Sequence, residues 1–167
     1  MNHTDEKLLL EIILEHTRNK RVLDLTGGMY TLDLIENGAS EVMVNENRKS
    51  EVTKLKKMSE SEVKISLMDL EFTEFIELCE EIHEKFDLIV FHDDRFLNTD
   101  FDLQKEHKEI IRQLQNELLN DAGILFFIVR QSTFILDDYL KPGADKLTKK
   151  LNVDPEKRAF QCWAFYN

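Results

Sequence analysis

FDLIVF, residues 86–91, is an apolar run broken only by Asp87, and it stops abruptly at His92-Asp93-Asp94-Arg95. A short run of this kind, lacking the alternation of a half-solvated strand, suits a strand buried on both faces, as in parallel sheets covered by helices. The flanking segments complete such a unit. Upstream, Phe72 to Ile82 carries Phe75, Ile76, Cys79 and Ile82 at helical spacing. Downstream, Phe101 to Leu119 places Leu103, His107, Ile110, Ile111, Leu114 and Leu118 on one helical face. Asp121-Ala122-Gly123 then turns into ILFFIV, residues 124–129, a second buried strand.

The same alternation continues outward. Leu8, Leu9, Ile12, Ile13 and His16 recur at helical spacing, with Thr4 or Asp5 as candidate caps. RVLDL (residues 21–25) is a short strand ending at Thr26-Gly27-Gly28. Tyr30 to Glu36 returns to helix and is closed by Asn37-Gly38. EVMV (residues 41–44) is the next strand, followed by a charged helix carrying Val52, Leu55 and Met58. Val63 to Leu67 is a further strand ending at Met68-Asp69. On the other side, a short helix near Phe134 to Leu140 stops at Pro142-Gly143. Two strand-like stretches follow, around Lys146 to Val153 and Ala159 to Tyr166, separated by Asp154-Pro155. Trp163 and Phe165 alternate with Cys162 and Ala164 along the last of these and are expected in the core. Strand and helix thus alternate five times, which predicts an α/β fold: a doubly wound, mostly parallel sheet with a C-terminal antiparallel hairpin. Residues 1–167 are expected to form one domain, with an N-terminal helix in 1–19 and the core in 20–167.

Composition narrows the function classes. The formal net charge is −11, which opposes unaided binding to nucleic acid, because phosphate neutralisation needs a basic face. Lysines cluster locally at Lys54, Lys56 and Lys57, and again from Lys141 to Arg158; each cluster reads first as a solvated face. Cys79 and Cys162 are the two cysteines, both in apolar patterns and without metal-site spacing, so a reducing, cytoplasmic setting is expected. Residues Met1 to Glu6 lack the basic-then-apolar order of a signal peptide, and no apolar run approaches the length of a membrane span, so no membrane association is expected.

In doubly wound sheets ligands bind outside the carboxyl ends of the strands, where strand order reverses. Four strand ends carry suitable residues. In Asp24-Leu25-Thr26-Gly27-Gly28, the glycines let the backbone approach a ligand, although the dinucleotide spacing G-x-G-x-x-G is absent and a plain tight turn fits as well. A nicotinamide-dependent oxidoreductase is disfavoured on that ground. Glu46, with Asn45 beside it, closes the second strand; a carboxylate there accepts both hydroxyls of a ribose, or is simply a surface acid. Asp69 follows the third strand and suits either an adenine amino group or the cap of the next helix. His92, Asp93 and Asp94 suggest general acid–base work or a metal, or a solvated loop paired with Arg95; their adjacency matches no standard ligand spacing, so no metal is assigned.

Taken in order, Val22 to Gly28, Asn37-Gly38-Ala39-Ser40, Met68-Asp69 and Phe86-Asp87-Leu88-Ile89 resemble the layout of the class I S-adenosylmethionine-dependent methyltransferases. Phe86 to Asn98, Phe101 to Phe127 and Asp154 to Tyr166, with its Cys-Trp pair, are similar to the catalytic domain of large-subunit ribosomal RNA methyltransferases of the guanine-N7 and cytosine-C5 type. The resemblance covers roughly residues 20 to 167. It implies that Asp24, Thr26, Gly27 and Gly28 bind the methionine end of the cofactor, Glu46 the ribose and Asp69 the adenine. It also implies that His92, Asp93 and Asp94 face the sulfonium and the incoming base. Two departures stand out: Met29-Tyr30 replaces a further small residue, and His92-Asp93-Asp94 replaces the family's Asp-Pro-Pro. With about twenty residues ahead of the first strand, the family's separate RNA-binding module is not expected here. The expected function is therefore methyl transfer, with RNA reached through a partner protein. The alternative is a non-catalytic adaptor of the same fold whose protein partner has a basic surface.

Overall fold

The computed structural model describes residues 3–97, 101–131, 144–146 and 160–167. The order is α1 (His3–Glu15), β1 (Arg21–Leu25), α2 (Thr31–Glu36), β2 (Glu41–Asn45), α3 (Lys49–Ser61), β3 (Ile65–Met68), α4 (Phe72–Glu81) and β4 (Phe86–Leu97). It continues with α5 (Phe101–Gln113), a π-helical turn (Leu114–Leu118), β5 (Leu119–Gln131), β6 (Ala144–Lys146) and β7 (Phe160–Tyr166).

These strands form a seven-stranded sheet in the order β3-β2-β1-β4-β5-β7-β6. β1 to β5 are mutually parallel, and β7 runs antiparallel between β5 and β6. The expected doubly wound sheet with an antiparallel C-terminal pair is therefore present. Chain order reverses between β1 and β4, which pair from Val22↔Leu88 to Leu25↔Phe91. That is the place where such a sheet opens a crevice.

Side-chain alternation sorts the apolar residues onto the two faces. Leu23, Leu25, Ile89, Phe91, Leu125 and Phe127 pack with Phe75, Ile76 and Cys79 of α4 and with Ile110 and Ile111 of α5. Val22, Val42, Val44, Leu88, Val90 and Phe126 pack on the other face with Leu9 and Ile13 of α1, Leu34 of α2 and Leu55 of α3. Two-sided burial explains why FDLIVF and ILFFIV are apolar at consecutive positions rather than alternate ones. On β7, Cys162 and Ala164 join the second cluster and Phe165 the first. The side chain of Trp163 lies outside the described residues.

Several boundaries differ from the sequence reading. α1 begins at His3, so Thr4 and Asp5 sit inside its first turn rather than capping it. Val63 and Ile82 are exposed; β3 starts at Ile65, and α4 closes at Glu81. The largest correction concerns β4, which does not stop at Phe91. It pairs with β5 as far as Leu97↔Gln131, and its register shifts between Asp93 and Phe96. At the other end, Phe86 faces Leu119 while Leu88 faces Ile124, so Asn120 to Gly123 form a bulge on β5, with Ala122 at φ +60. That bulge is the turn expected at Asp121-Ala122-Gly123, absorbed into a strand. The short helix near Phe134 to Leu140, the strand-like stretch beyond Lys146 and the turn at Asp154-Pro155 lie outside the described residues, as does most of the Lys141 to Arg158 cluster.

Phe127 is fully buried, stacks on Phe91 with ring centroids 4.9 Å apart and meets His107 edge-on at 5.1 Å. Phe127→Ala is expected to cost about 3–5 kcal/mol of stability in urea unfolding. Val63→Ser, at a fully solvated site, is expected to stay within about 0.5 kcal/mol.

Candidate active site

The parallel register brings four strand ends side by side. The Glu46 N–H donates to the Met68 carbonyl at 3.0 Å, so the residues following β2 and β3 are neighbours. Thr26 and His92 are the residues that follow the last pair of the β1–β4 register, Leu25↔Phe91. Asp24, Thr26, Glu46, Asp69 and His92 thus share the carboxyl edge of the sheet. The roles differ from residue to residue.

Asp24 has no exposed surface. Its Oδ1 accepts the Thr26 N–H at 2.9 Å and the Thr26 hydroxyl at 2.5 Å, and its Oδ2 accepts the Thr31 hydroxyl at 2.6 Å. The Thr26 hydroxyl oxygen in turn accepts the Met29 N–H at 3.1 Å. Asp24 therefore lies beneath the glycine loop and ties β1 to α2 through Thr31. Nothing in the sequence marks Thr31 for this role beyond its place at the start of a helix.

Gly27 and Gly28 adopt φ of +74 and +82, the left-handed region that side chains disfavour. A Cβ on Gly28 would collide with Leu55 of α3, and one on Gly27 would collide with Arg48 Nη2 and lie 2.9 Å from Glu46 Oε2. The loop is bare where the Glu46 carboxylate approaches it. Glu46 is buried, although it follows an edge-ward strand and reads in isolation as a surface acid. Burial alone would raise its carboxyl, but the side-chain and backbone hydrogen bonds and the charge of Arg48 hold it below the ordinary 4.5. A cavity of about 240 Å³ opens beside these groups, lined by Gly27, Gly28, Met29, Arg48, Lys54 and Met58 among others.

Asp69 is exposed just past β3 and does not cap α4, whose N-cap is Glu71. Asn45 bonds both polar groups of Leu70, its Nδ2 donating to the carbonyl at 3.1 Å and its Oδ1 accepting the N–H at 3.3 Å. Asn45 therefore positions the turn that carries Asp69.

His92 and Asp93 do not converge. Strand alternation directs His92 to the face of Leu88 and Val90, and Asp93 to the face of Ile89 and Phe91. Asp93 is buried and lies 2.9 Å from Nε2 of His107, which is fully buried on α5. The side chain of Asp94 lies outside the described residues; its backbone falls where β4 shifts register. His107 was legible as a member of the apolar face of its helix, but its carboxylate partner was not. Among the described residues no group of three His, Cys, Asp or Glu side chains could hold a metal ion.

No protein-family model and no curated protein matches this chain. Solved structures do. SMU.776, a candidate methyltransferase in complex with S-adenosylhomocysteine, superposes with a TM-score of 0.75 at 13% identity over 98% of this chain and 49% of that one. YhhF from Escherichia coli, a candidate methyltransferase, gives 0.69 at 10% identity over 98% of this chain and 84% of that one. The fold is that of the class I methyltransferases. The N-methyltransferase NodS from Bradyrhizobium japonicum agrees, with a TM-score of 0.68 at 14% identity over 99% of this chain and 97% of that one. The chain spans about half the length of SMU.776.

Two outcomes are expected from these contacts. Burial raises the Asp24 carboxyl above its ordinary 3.8, against the lowering effect of the Thr26 and Thr31 hydrogen bonds. The native state therefore keeps this proton to higher pH than the unfolded chain, so the stability that Asp24 contributes is greatest below 3.8 and falls as pH rises towards its folded-state value. Asp24→Asn, whose amide accepts from Thr26 and donates to Thr31, should remove that downward slope in a denaturation series from acid to neutral pH. For the Asp93–His107 pair, His107→Leu should cost about 1–3 kcal/mol by removing a hydrogen-bond partner from a buried carboxylate. Adding Asp93→Asn should recover part of the loss; strictly additive effects in the double-mutant cycle would show that the two side chains do not stabilise each other.

Proposed function

We propose that this chain binds S-adenosylmethionine along the carboxyl ends of β1 to β4 and transfers its methyl group to an RNA base. The observation that carries the reading is the Glu46 carboxylate, buried beside the side-chain-free backbone of Gly27 at the point where strand order reverses. The methyltransferase fold supports it, as does the S-adenosylhomocysteine held by SMU.776.

The residues present fit the cofactor. Glu46 supplies an acceptor for the ribose hydroxyls, Asp69 one for the adenine amino group, and Gly27 and Gly28 a bare backbone wall for the methionine end. Thr26 and Thr31 hold that wall through Asp24, which acts from below rather than by contact. The cofactor supplies an electrophilic methyl group on a sulfonium. What this chain adds is alignment, which is the main protein contribution to transfer between two bound groups. His92, half-buried on β4 one residue beyond the Leu25↔Phe91 pair, is placed to accept a proton from the methylated base. Asp93, held by His107, braces the strand that carries His92, and Asp94 is assigned to the lip that meets the acceptor.

The similarity of Phe86 to Asn98 and Asp154 to Tyr166 to ribosomal RNA methyltransferases supports RNA as the acceptor. Because the net charge is −11, the RNA is reached through a protein partner with a basic surface. Among the described residues no helix is long and apolar enough to cross a membrane. The two cysteines, Cys79 and Cys162, are both buried, which suits the reducing cytoplasm.

Calorimetric titration with S-adenosylmethionine and S-adenosylhomocysteine tests the reading. Micromolar binding is expected, and Glu46→Ala should weaken it at least about tenfold, or 1.4 kcal/mol. Absence of heat with both ligands would overturn the proposal, and unchanged affinity in the variant would remove Glu46 from the site.

A further inference from the structure

The carboxylate assigned to the ribose is already ligated by its own chain. Arg48 donates its backbone N–H to Glu46 Oε1 at 2.8 Å. Its Nε lies 3.1 Å from each carboxylate oxygen, and its Nη2 lies 2.7 Å from Oε2. The guanidinium thus grips Glu46 with the paired geometry that makes arginine–carboxylate contacts strong. The same Nη2 occupies the space that a Cβ on Gly27 would take. Arg48 therefore covers both elements of the site at once: the acceptor for the diol and the bare backbone next to it.

The pair is lopsided in burial. The Glu46 side chain is 7% exposed and the Arg48 side chain 60%. The exposed guanidinium, on a long stem, is the partner that moves, whereas the carboxylate stays behind on the strand end. The cavity that Arg48 lines also holds Glu51, a second carboxylate three residues further on, whose N–H donates to the Arg48 carbonyl at 3.0 Å.

We infer that Arg48 is a displaceable internal ligand of Glu46, a gate that a ribose diol must push aside to enter the site. This inference rests on the cofactor reading above. Binding then exchanges charge-assisted bonds from the guanidinium for neutral hydroxyl bonds, so the arginine lowers affinity for every diol-bearing nucleoside. The loss is the same for each of them, so a ligand needs further contacts, to the glycine loop and to Asp69, to keep useful affinity. Arg48 is a positioning residue here; it takes no part in the chemistry.

The test is titration of wild-type protein and Arg48→Met with S-adenosylhomocysteine and with adenosine. The variant keeps the stem and the backbone N–H that bonds Glu46 while losing the guanidinium. Affinity about tenfold tighter in the variant is expected for both ligands, by a similar factor, because the cost of displacing the guanidinium does not depend on the ligand's other contacts. Equal or weaker binding by the variant, with wild-type protein binding normally, would overturn the gate and leave the cofactor reading standing. No binding by either protein would overturn both. Should Arg48→Met fail to fold, wild-type affinity for neutral adenosine is measured across a salt series. Screening the exposed guanidinium should tighten binding, and a flat or falling series would overturn the inference.

Discussion

A carboxylate with no exposed surface is the contact on which the site's geometry rests. Asp24 is the last residue but one of β1, and its two oxygens take three donors, two from Thr26 and one from Thr31. Burying a carboxylate is costly, and hydrogen bonds reduce the penalty only if their donors are held in place. The arrangement therefore works in both directions. The loop supplies the donors that make Asp24 tolerable, and Asp24 fixes the loop in the left-handed path that only Gly27 and Gly28 follow without strain. From that path follow the approach of Glu46, the packing of Leu55 against Gly28 and the cavity between the loop and α3.

The second anchor lies on the opposite face. β4 runs six residues past the apolar stretch that identifies it, carrying His92 and Asp93 into the sheet rather than into a loop. Once in a strand, neighbouring side chains must part company. Asp93 turns inward to His107, in a wall formed with Phe91 and Phe127, and His92 turns to the face shared with Asp24. The register shift between Asp93 and Phe96 comes directly after this division. Bulges commonly re-aim a strand beside a site. In place of a loop stiffened by prolines, the chain uses strand pairing and a buried carboxylate–imidazole contact to hold the end of β4.

The sheet was legible because its signals are local. Strands buried on both faces must be apolar at consecutive positions, and FDLIVF and ILFFIV are; helices covering them must show a 3.6-residue period, and residues 72–82 and 101–119 do. Boundaries were less legible for a physical reason. Strand ends are set by whether a neighbouring strand continues to offer hydrogen bonds, and β5 continues to do so for polar residues that carry no strand signal of their own. Ile82 looked like part of a helical stripe, yet α4 closes one residue earlier and leaves it in solvent.

What the sequence determined by itself was the order of elements, the doubly wound sheet and the positions where polar residues meet the carboxyl ends of strands, because these follow from apolar periodicity and from glycine placement. Only the tertiary structure decided which of those polar residues point outward and which are spent on the protein. Glu46 and Arg48 are two apart in sequence, but their pairing over Gly27 depends on a loop from another strand; Asp93 and His107 meet only because α5 folds back across the sheet. Hydrogen-bond partners of buried charges are chosen by three-dimensional proximity, and the linear pattern carries no record of that choice.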